Sequence, residues 1–284
     1  MKVNEMRVNW IGIWTVYLKE MTRTSRVIGQ TIISPVITTT LYFVVFGAAV
    51  GSNIDELQGV SYGAFIMPGL IMLSLTTNSL TAASSGIYFP KWTGVIYELL
   101  TAPLSYFEIC LGYVLAATTR AMIVAVIIFL VSLFYVNLTV KYPLFCLLFA
   151  FITTLSFALF GFVIGLVANS FEQLSLMPNF VITPLSFLGG IFYNLEMLPP
   201  FWRNVSIFNP FVYMNNGLRY GFYGITDVDP VLCVIVILLF TFLNLAITLW
   251  IFRTGFRLRP VSYRHLRAHE TLRYLVCRLL REKK

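Results

Sequence analysis

Charge is what this chain has least of. Asp, Glu, Lys and Arg make up 11% of its 284 residues, while 58% are apolar. Soluble domains carry charge on roughly a quarter of their positions, so water is a poor solvent for this sequence. A mean hydropathy of +0.82 points to lipid instead. Histidine is scarcer still. His265 and His269 are the only two, four residues apart near the C-terminus with no third ligand beside them, so no metal site is expected there. Cys110, Cys146, Cys233 and Cys277 stand far from one another, which excludes CxxC redox and zinc spacing. Three of them sit inside apolar runs and read as buried free thiols. There is no G-x-x-x-x-G-K-S/T phosphate loop, no HExxH helix and no carboxylate pair inside an apolar run. ATP binding of that kind and metal-dependent chemistry in the membrane are therefore not expected of this chain. Nor does the N-terminus read as a signal peptide, because Arg7, Asn9, Lys19 and Glu20 interrupt its apolar residues.

What the chain has in quantity is long apolar runs. A bilayer core of about 30 Å is crossed by roughly 20 helical residues. Six runs reach that length: 27–50, 60–87, 107–136, 143–168, 174–193 and 230–252. Pro35, Pro68, Gly161, Gly165, Pro178 and Pro184 lie within them and suit close helix packing in lipid. The runs are too long and too uniformly apolar for barrel strands, and an open sheet cannot span a bilayer. The expected fold is an all-α integral membrane protein with six transmembrane helices.

A net charge of +8 suggests nucleic acid only until the charges are placed. Lys2, Arg7, Lys19, Arg23 and Arg26 precede the first run, Lys91 follows the second, and ten more basic residues lie from Arg253 onward. The opposite side holds Lys141, Arg203 and Arg219 alone. The excess of Lys and Arg marks the cytoplasmic side, and an even number of spans puts both termini there. The loop after the first span carries Asp55 and Glu56 and no basic residue, in agreement. Topology and anionic lipid thus account for the basic balance, and no nucleic-acid partner is expected.

Before the first span, Met6, Trp10, Ile13, Trp14, Tyr17, Leu18 and Met21 trace one helical stripe, with Glu5, Asn9, Lys19 and Glu20 off it. Such a helix lies in the headgroup region. A simple anchor and a lever beside a cytoplasmic partner both fit. At the other end, residues 257–284 mix Arg with Leu and read as a basic amphipathic helix on the membrane surface.

Three further features stand out. Between spans two and three, Pro90 and Pro103 bracket a short helix-compatible stretch with Trp92, Ile96, Leu99 and Leu100 as apolar residues and Lys91 and Glu98 as charges. So much apolar surface on a connector calls for a docking partner. Arg120 lies deep in span three, where a charge is costly. It either lines a pathway or snorkels to an interface, with Glu108 and Glu172 as candidate partners. The outer segment 194–229 is dense in aromatics, including Phe201, Trp202, Phe208, Phe211 and Tyr213. Short re-entrant helices broken at Pro199-Pro200 and Pro210 fit it better than a loop in water, as an aromatic belt or as a gate over a substrate path.

The stretch 182–219 resembles the signature of ABC-2 type transporter permeases. It carries Leu185, then Leu188-Gly189-Gly190-Ile191, Leu198-Pro199, Pro210-Phe211-Val212-Tyr213 and finally Arg219. Glu98-Leu99-Leu100-Thr101-Ala102-Pro103 and Phe65-Ile66-Met67-Pro68-Gly69-Leu70 are similar to other parts of such permeases. The resemblance covers about residues 5–256 and leaves the tail uncovered.

It implies the membrane subunit of an ATP-driven exporter in a bacterial inner membrane, with both termini cytoplasmic. Residues 1–26 would form the interface helix, with Trp10, Trp14 and Tyr17 on it, 27–256 the six-span domain and 257–284 the basic tail. Lys91, Trp92, Glu98, Leu99, Leu100 and Pro103 would dock a separate ABC ATPase, present in two copies against a homodimer of this chain in membrane lipid. Phe201, Trp202, Phe208, Phe211, Tyr213 and Arg219 would form the outer gate. No cofactor is expected on this chain, since ATP and magnesium belong to the ATPase, and the chain is not an enzyme. The cargo would be an amphipathic or lipid-linked molecule moved outward. A channel or membrane scaffold without an ATPase is the alternative, though it leaves the apolar connector without a partner.

Overall fold

The computed structural model describes residues 8–50, 56–136 and 138–254. The expected basic tail, with its two histidines and Cys277, lies outside the described residues, as do residues 1–7 and 51–55, Asp55 among them. Nearly everything described is helical, and the one strand pair is the short hairpin β1 (Glu56–Leu57) and β2 (Val60–Ser61).

In chain order, α1 (Trp10–Arg26) leads into α2 (Ser34–Tyr42), which has wide π-helical turns on both sides, Gly29–Ile33 and Phe43–Val50. After the hairpin come α3 (Tyr62–Thr93), the short α4 (Ile96–Thr101), α5 (Tyr106–Ser132) and α6 (Pro143–Val167). Next are α7 (Phe171–Leu176), a π-helical stretch Met177–Ile182 and α8 (Thr183–Leu188). The chain closes with α9 (Pro200–Ile207), α10 (Pro210–Tyr223) and α11 (Pro230–Thr254).

Among the described residues, five helical segments are long and apolar enough to cross a membrane: Gly29–Gly47, Tyr62–Thr93, Tyr106–Ser132, Pro143–Val167 and Pro230–Thr254. The expected fifth span, 174–193, is shorter and more polar, running as one helical stretch over 171–188. Its contacts nonetheless carry it along the whole bundle. The Phe171 ring meets Trp92 at one end, 5.4 Å between centroids, while Ile191, just beyond the helix, packs on Gly69 at the other. The helix stops at Gly189 because the next residue, Gly190, takes φ +76°, a conformation only glycine adopts freely. Within it Pro178 supplies no N–H, and Thr183 N–H reaches back five residues to the Pro178 carbonyl, the bond of a π-turn.

The second span is longer than expected. α3 continues past Ile87 through Pro90 to Thr93 and is ended by Gly94 at φ +82°. It is the most enclosed of the long helices and forms the axis of the bundle. In lipid the apolar surface of a helix gains nothing by leaving the solvent, so close backbone approach decides packing. Gly161 and Gly165 on α6 provide it. A Cβ at either would collide with the backbone carbonyl of Leu80 or of Ser84 on α3.

Helix α1 runs beside the first half of α5 in the same sense. Glu108 sets the register, its Oε1 accepting the Asn9 N–H at 2.6 Å and its Oε2 the Ser105 N–H at 2.7 Å. The Ser105 hydroxyl completes a capping box at the start of α5. Farther along, Val16 packs on Gly112, and the Tyr17 hydroxyl lies 3.4 Å from that of Thr119. The face buried is therefore Ile13, Val16 and Glu20, whereas Trp10, Ile11, Trp14 and Leu18 stay exposed. This revises the expected placement of Glu20, which the stripe left on the polar side. Both described ends of the chain, α1 and the last turns of α11, lie at the α4 end of the bundle. There Phe252 stacks on Tyr106 at 5.1 Å.

Candidate functional site

A cleft of about 390 Å³ opens between the first span, α3, α5 and the broken helix, and polar side chains stand among its apolar lining. Gln30, Ser34, Thr38 and Tyr42 line one wall at a strict four-residue spacing, one face of the first span. The opposite face of that span, Ile33, Ile37 and Leu41, is exposed. On α3 the lining residues are Ser74, Thr77, Asn78 and Thr81, again one helical face. Asn179 and Thr183 come from the broken helix, and Arg120 from α5. Part of this polarity is turned inward. Thr77 Oγ1 donates to the Leu73 carbonyl at 2.7 Å, and Asn78 Nδ2 to the Ser74 carbonyl at 2.9 Å. The volume falls within the usual range of ligand pockets, and an aqueous or ligand-lined pathway is where membrane proteins tolerate such side chains.

Arg120 therefore lies on a cleft. Its expected partners are elsewhere. Glu108 is held by the N–H groups of Asn9 and Ser105, and Glu172 is exposed at the start of α7. The charges that act on Arg120 are Glu20 and Arg23 of α1, themselves paired at 2.8 Å. Burial pushes the Glu20 carboxyl above its ordinary pKa, and the neighbouring Arg23 opposes that shift.

At the α4 end, the residues expected to dock a partner divide in two. Trp92 is half exposed, Glu98 and Pro103 are exposed, and Leu99 and Leu100 root α4 in the core around Ile96. Lys91 does not belong with them. It is 5% exposed, and its Nζ donates to the carbonyls of Leu166 and, at 2.9 Å, Ala168, closing the C-terminus of α6. An ammonium satisfies the orphan carbonyls of a helix end, and that is its place here.

The aromatic residues expected at the outer gate divide likewise. Phe201, Trp202 and Phe208 of α9 and its end are exposed, Phe208 at 89%. Tyr213 donates its hydroxyl to the Ile207 carbonyl at 2.8 Å, and Phe211 is buried against Phe157. Arg219, expected at the gate, is 1% exposed in the interior. Its Nη2 donates to the Gly190 carbonyl at 2.7 Å, its guanidinium lies 3.8 Å from the Phe65 ring centre, and Asp227 stands 3.9 Å away. Asn209 takes the Leu185 carbonyl at 2.6 Å and Asn215 that of Gly189 at 2.8 Å. The three side chains thus gather the frayed end of α8, fixing α10 as a helix inserted into the bundle. α10 is thus buried within the bundle, while α9 stays largely at the surface.

The cleft's other polar residues were legible only as packing residues. The signal that reveals them is the recurrence of Gln30, Ser34, Thr38 and of Ser74, Asn78, Thr81 at helical spacing inside apolar spans.

Apolar helices thus surround a cleft lined in part by polar side chains, with an inserted helix at one end and a short surface helix at the other. The chain belongs to the ABC-2 type transporter family, whose pattern matches residues 12–223. It is 43% identical over 226 residues to the inner membrane transport permease YadH of Escherichia coli K12, covering 80% of this chain and 88% of that protein. It is 27% identical over 218 residues to nodulation protein J of Rhizobium leguminosarum bv. viciae, covering 75% and 81% respectively. Family and homologue together make it a multi-pass inner membrane transport permease, the membrane subunit of an ABC transporter.

Proposed function

We propose that the chain is the membrane half of an ATP-driven exporter. It works as a homodimer with two copies of a separate ABC ATPase and moves an amphipathic or lipid-linked molecule outward through the polar cleft. Both termini and α4 face the cytoplasm, ATP and magnesium bind the ATPase alone, and membrane lipid surrounds the dimer. The observation that carries this reading is the span of α3. One helix of 32 residues supplies the cleft wall at Ser74, Thr77 and Asn78 and, past Gly94, hands over to α4. A push on α4 at the cytoplasmic face is thereby transmitted to the cleft by a single rigid element.

In this mechanism Glu98 and Trp92 meet the ATPase, while Ile96, Leu99 and Leu100 tie α4 to the bundle. The ATPase states with and without ATP must each favour a different permease conformation, or no work is transmitted. The interface helix α1 offers Trp10 and Trp14 to the headgroup region, and its Tyr17, whose hydroxyl lies 3.4 Å from that of Thr119, ties it to α5. On the outer side, the aromatic surface of α9, with Phe201, Trp202 and Phe208, closes the path, and Arg219 and Phe211 hold the inserted helix beneath it. The test is substitution at α4. Glu98→Lys and Trp92→Ala should keep insertion and thermal stability but lower ATPase stimulation and transport together, by about tenfold or more if one charge-assisted contact is lost. Full transport in both variants would remove α4 from the coupling path.

A further inference from the structure

Among the described residues, Arg120 is the one charged residue on the cleft wall, and no carboxylate lines the cleft with it. It sits 14 residues into α5, about 20 Å along that apolar helix. No hydrogen bond or ion pair joins its guanidinium to a described residue, and its Nε is buried without a partner. The acidic group whose charge reaches it, Glu20 of α1, is already engaged by Arg23. An unmatched cation at this depth is costly unless something anionic arrives to meet it. Around it the cleft presents neutral hydroxyls and amides from α3 and the first span, suited to the hydroxyls of a polar headgroup. The first span's other face, Ile33, Ile37 and Leu41, is apolar and exposed.

We infer that the cleft recognises an amphiphile through its oxyanion, a phosphate carried on a lipid-like tail, with Arg120 as the group that holds it. A guanidinium presents paired N–H donors that match two oxygens of a phosphate at once, which an ammonium cannot do. The tail remains in the bilayer beside the first span while the headgroup enters the cleft. The inference rests on the cleft being the transport path and adds the charge class of the cargo.

The experiment uses the purified full-length chain in a neutral detergent, followed by thermal unfolding as lipid is added. The probes are phosphatidic acid, phosphatidylcholine and inorganic phosphate. Phosphatidic acid should raise the unfolding midpoint of the wild type in a saturable manner, and the other two should do so far less. Arg120→Gln should weaken the apparent affinity for phosphatidic acid about tenfold or more. Arg253→Gln, an exposed arginine at the far end of α11, should leave it unchanged. Arg120→Lys covers the case in which the Gln variant fails to fold, and should bind several-fold more weakly than wild type for want of the planar fork. Undiminished binding in both Arg120 variants would overturn the assignment. An equal response to inorganic phosphate would overturn the amphiphile, and an equal response to phosphatidylcholine the recognition of charge. Because no ATPase enters this measurement, it can fail while coupling through Glu98 stands, and the reverse.

Discussion

The Lys91 Nζ donates to the Ala168 carbonyl at 2.9 Å, tying the end of α3 to the end of α6. The contact turns a residue with the look of a docking charge into a structural one. Lys91→Met should leave two helix-end carbonyls, those of Leu166 and Ala168, without their donor, at a cost of about 1–3 kcal/mol. The check is thermal unfolding in detergent, where Lys91→Met should melt earlier than wild type and Glu98→Gln should not. Loss of coupling in Lys91→Met at unchanged stability would return Lys91 to the docking surface.

Arg219 and Asp227 make the opposite end of the bundle dependent on one cation. Replacing Arg219 by Leu leaves the Asp227 carboxylate with only the Gln58 amide and the Leu195 N–H, and leaves the Gly190 carbonyl unmatched, a change expected to cost about 1–3 kcal/mol. Arg219→Lys should recover little of it, because one ammonium cannot reproduce the planar contact with Phe65 and the bond to Gly190. Unfolding midpoints of the two variants decide this, and a wild-type midpoint in Arg219→Leu would refute the clamp.

Packing of α3 on α6 should be the bundle's most sensitive seam. Gly161→Val places side-chain atoms where the Leu80 backbone lies and should destabilise by about 1–3 kcal/mol or more. Gly29→Ala, whose nearest neighbour would be the Ile33 side chain at 4.0 Å, serves as the comparison and should be neutral. Expression level and detergent stability of the pair report the difference.

Stability should also depend on pH through Glu20. Its folded pKa lies above the ordinary 4.5 because burial disfavours the carboxylate, with Arg23 opposing. The contribution of the neutral acid is thus complete below about pH 4.5 and is lost as the pH climbs through the raised value. Glu20→Gln, which cannot ionise, should flatten that decline. A pH profile identical in wild type and variant would count against it.

The spans were legible because lipid demands long apolar helices, and a run such as 143–168 differs by a single residue from α6. The capping of α5 by Ser105 and Glu108 is local, yet the second half of Glu108's role, holding Asn9, joins residues 99 positions apart. The place of Lys91 was hidden for the same reason, since its acceptors lie on another helix more than seventy residues on. Arg219 was expected at the outer gate, because nothing in its sequence neighbourhood announces Phe65 and Gly190 as its surroundings. The cleft was written in the polar spacing of the first two spans, but serine and threonine serve helix packing in lipid equally well. Only the helices' mutual placement separates the two uses.

The central claim is that this permease works with an ABC ATPase docked on α4. Purification of the chain from its native membrane in mild detergent tests it most directly, with nucleotide hydrolysis and partner stoichiometry measured on the complex. An ATP-hydrolysing ABC subunit should accompany the wild-type chain one to one and be lost when Trp92→Ala and Glu98→Lys are combined. A chain that purifies without any nucleotide-hydrolysing partner and conducts ions when reconstituted would contradict the account.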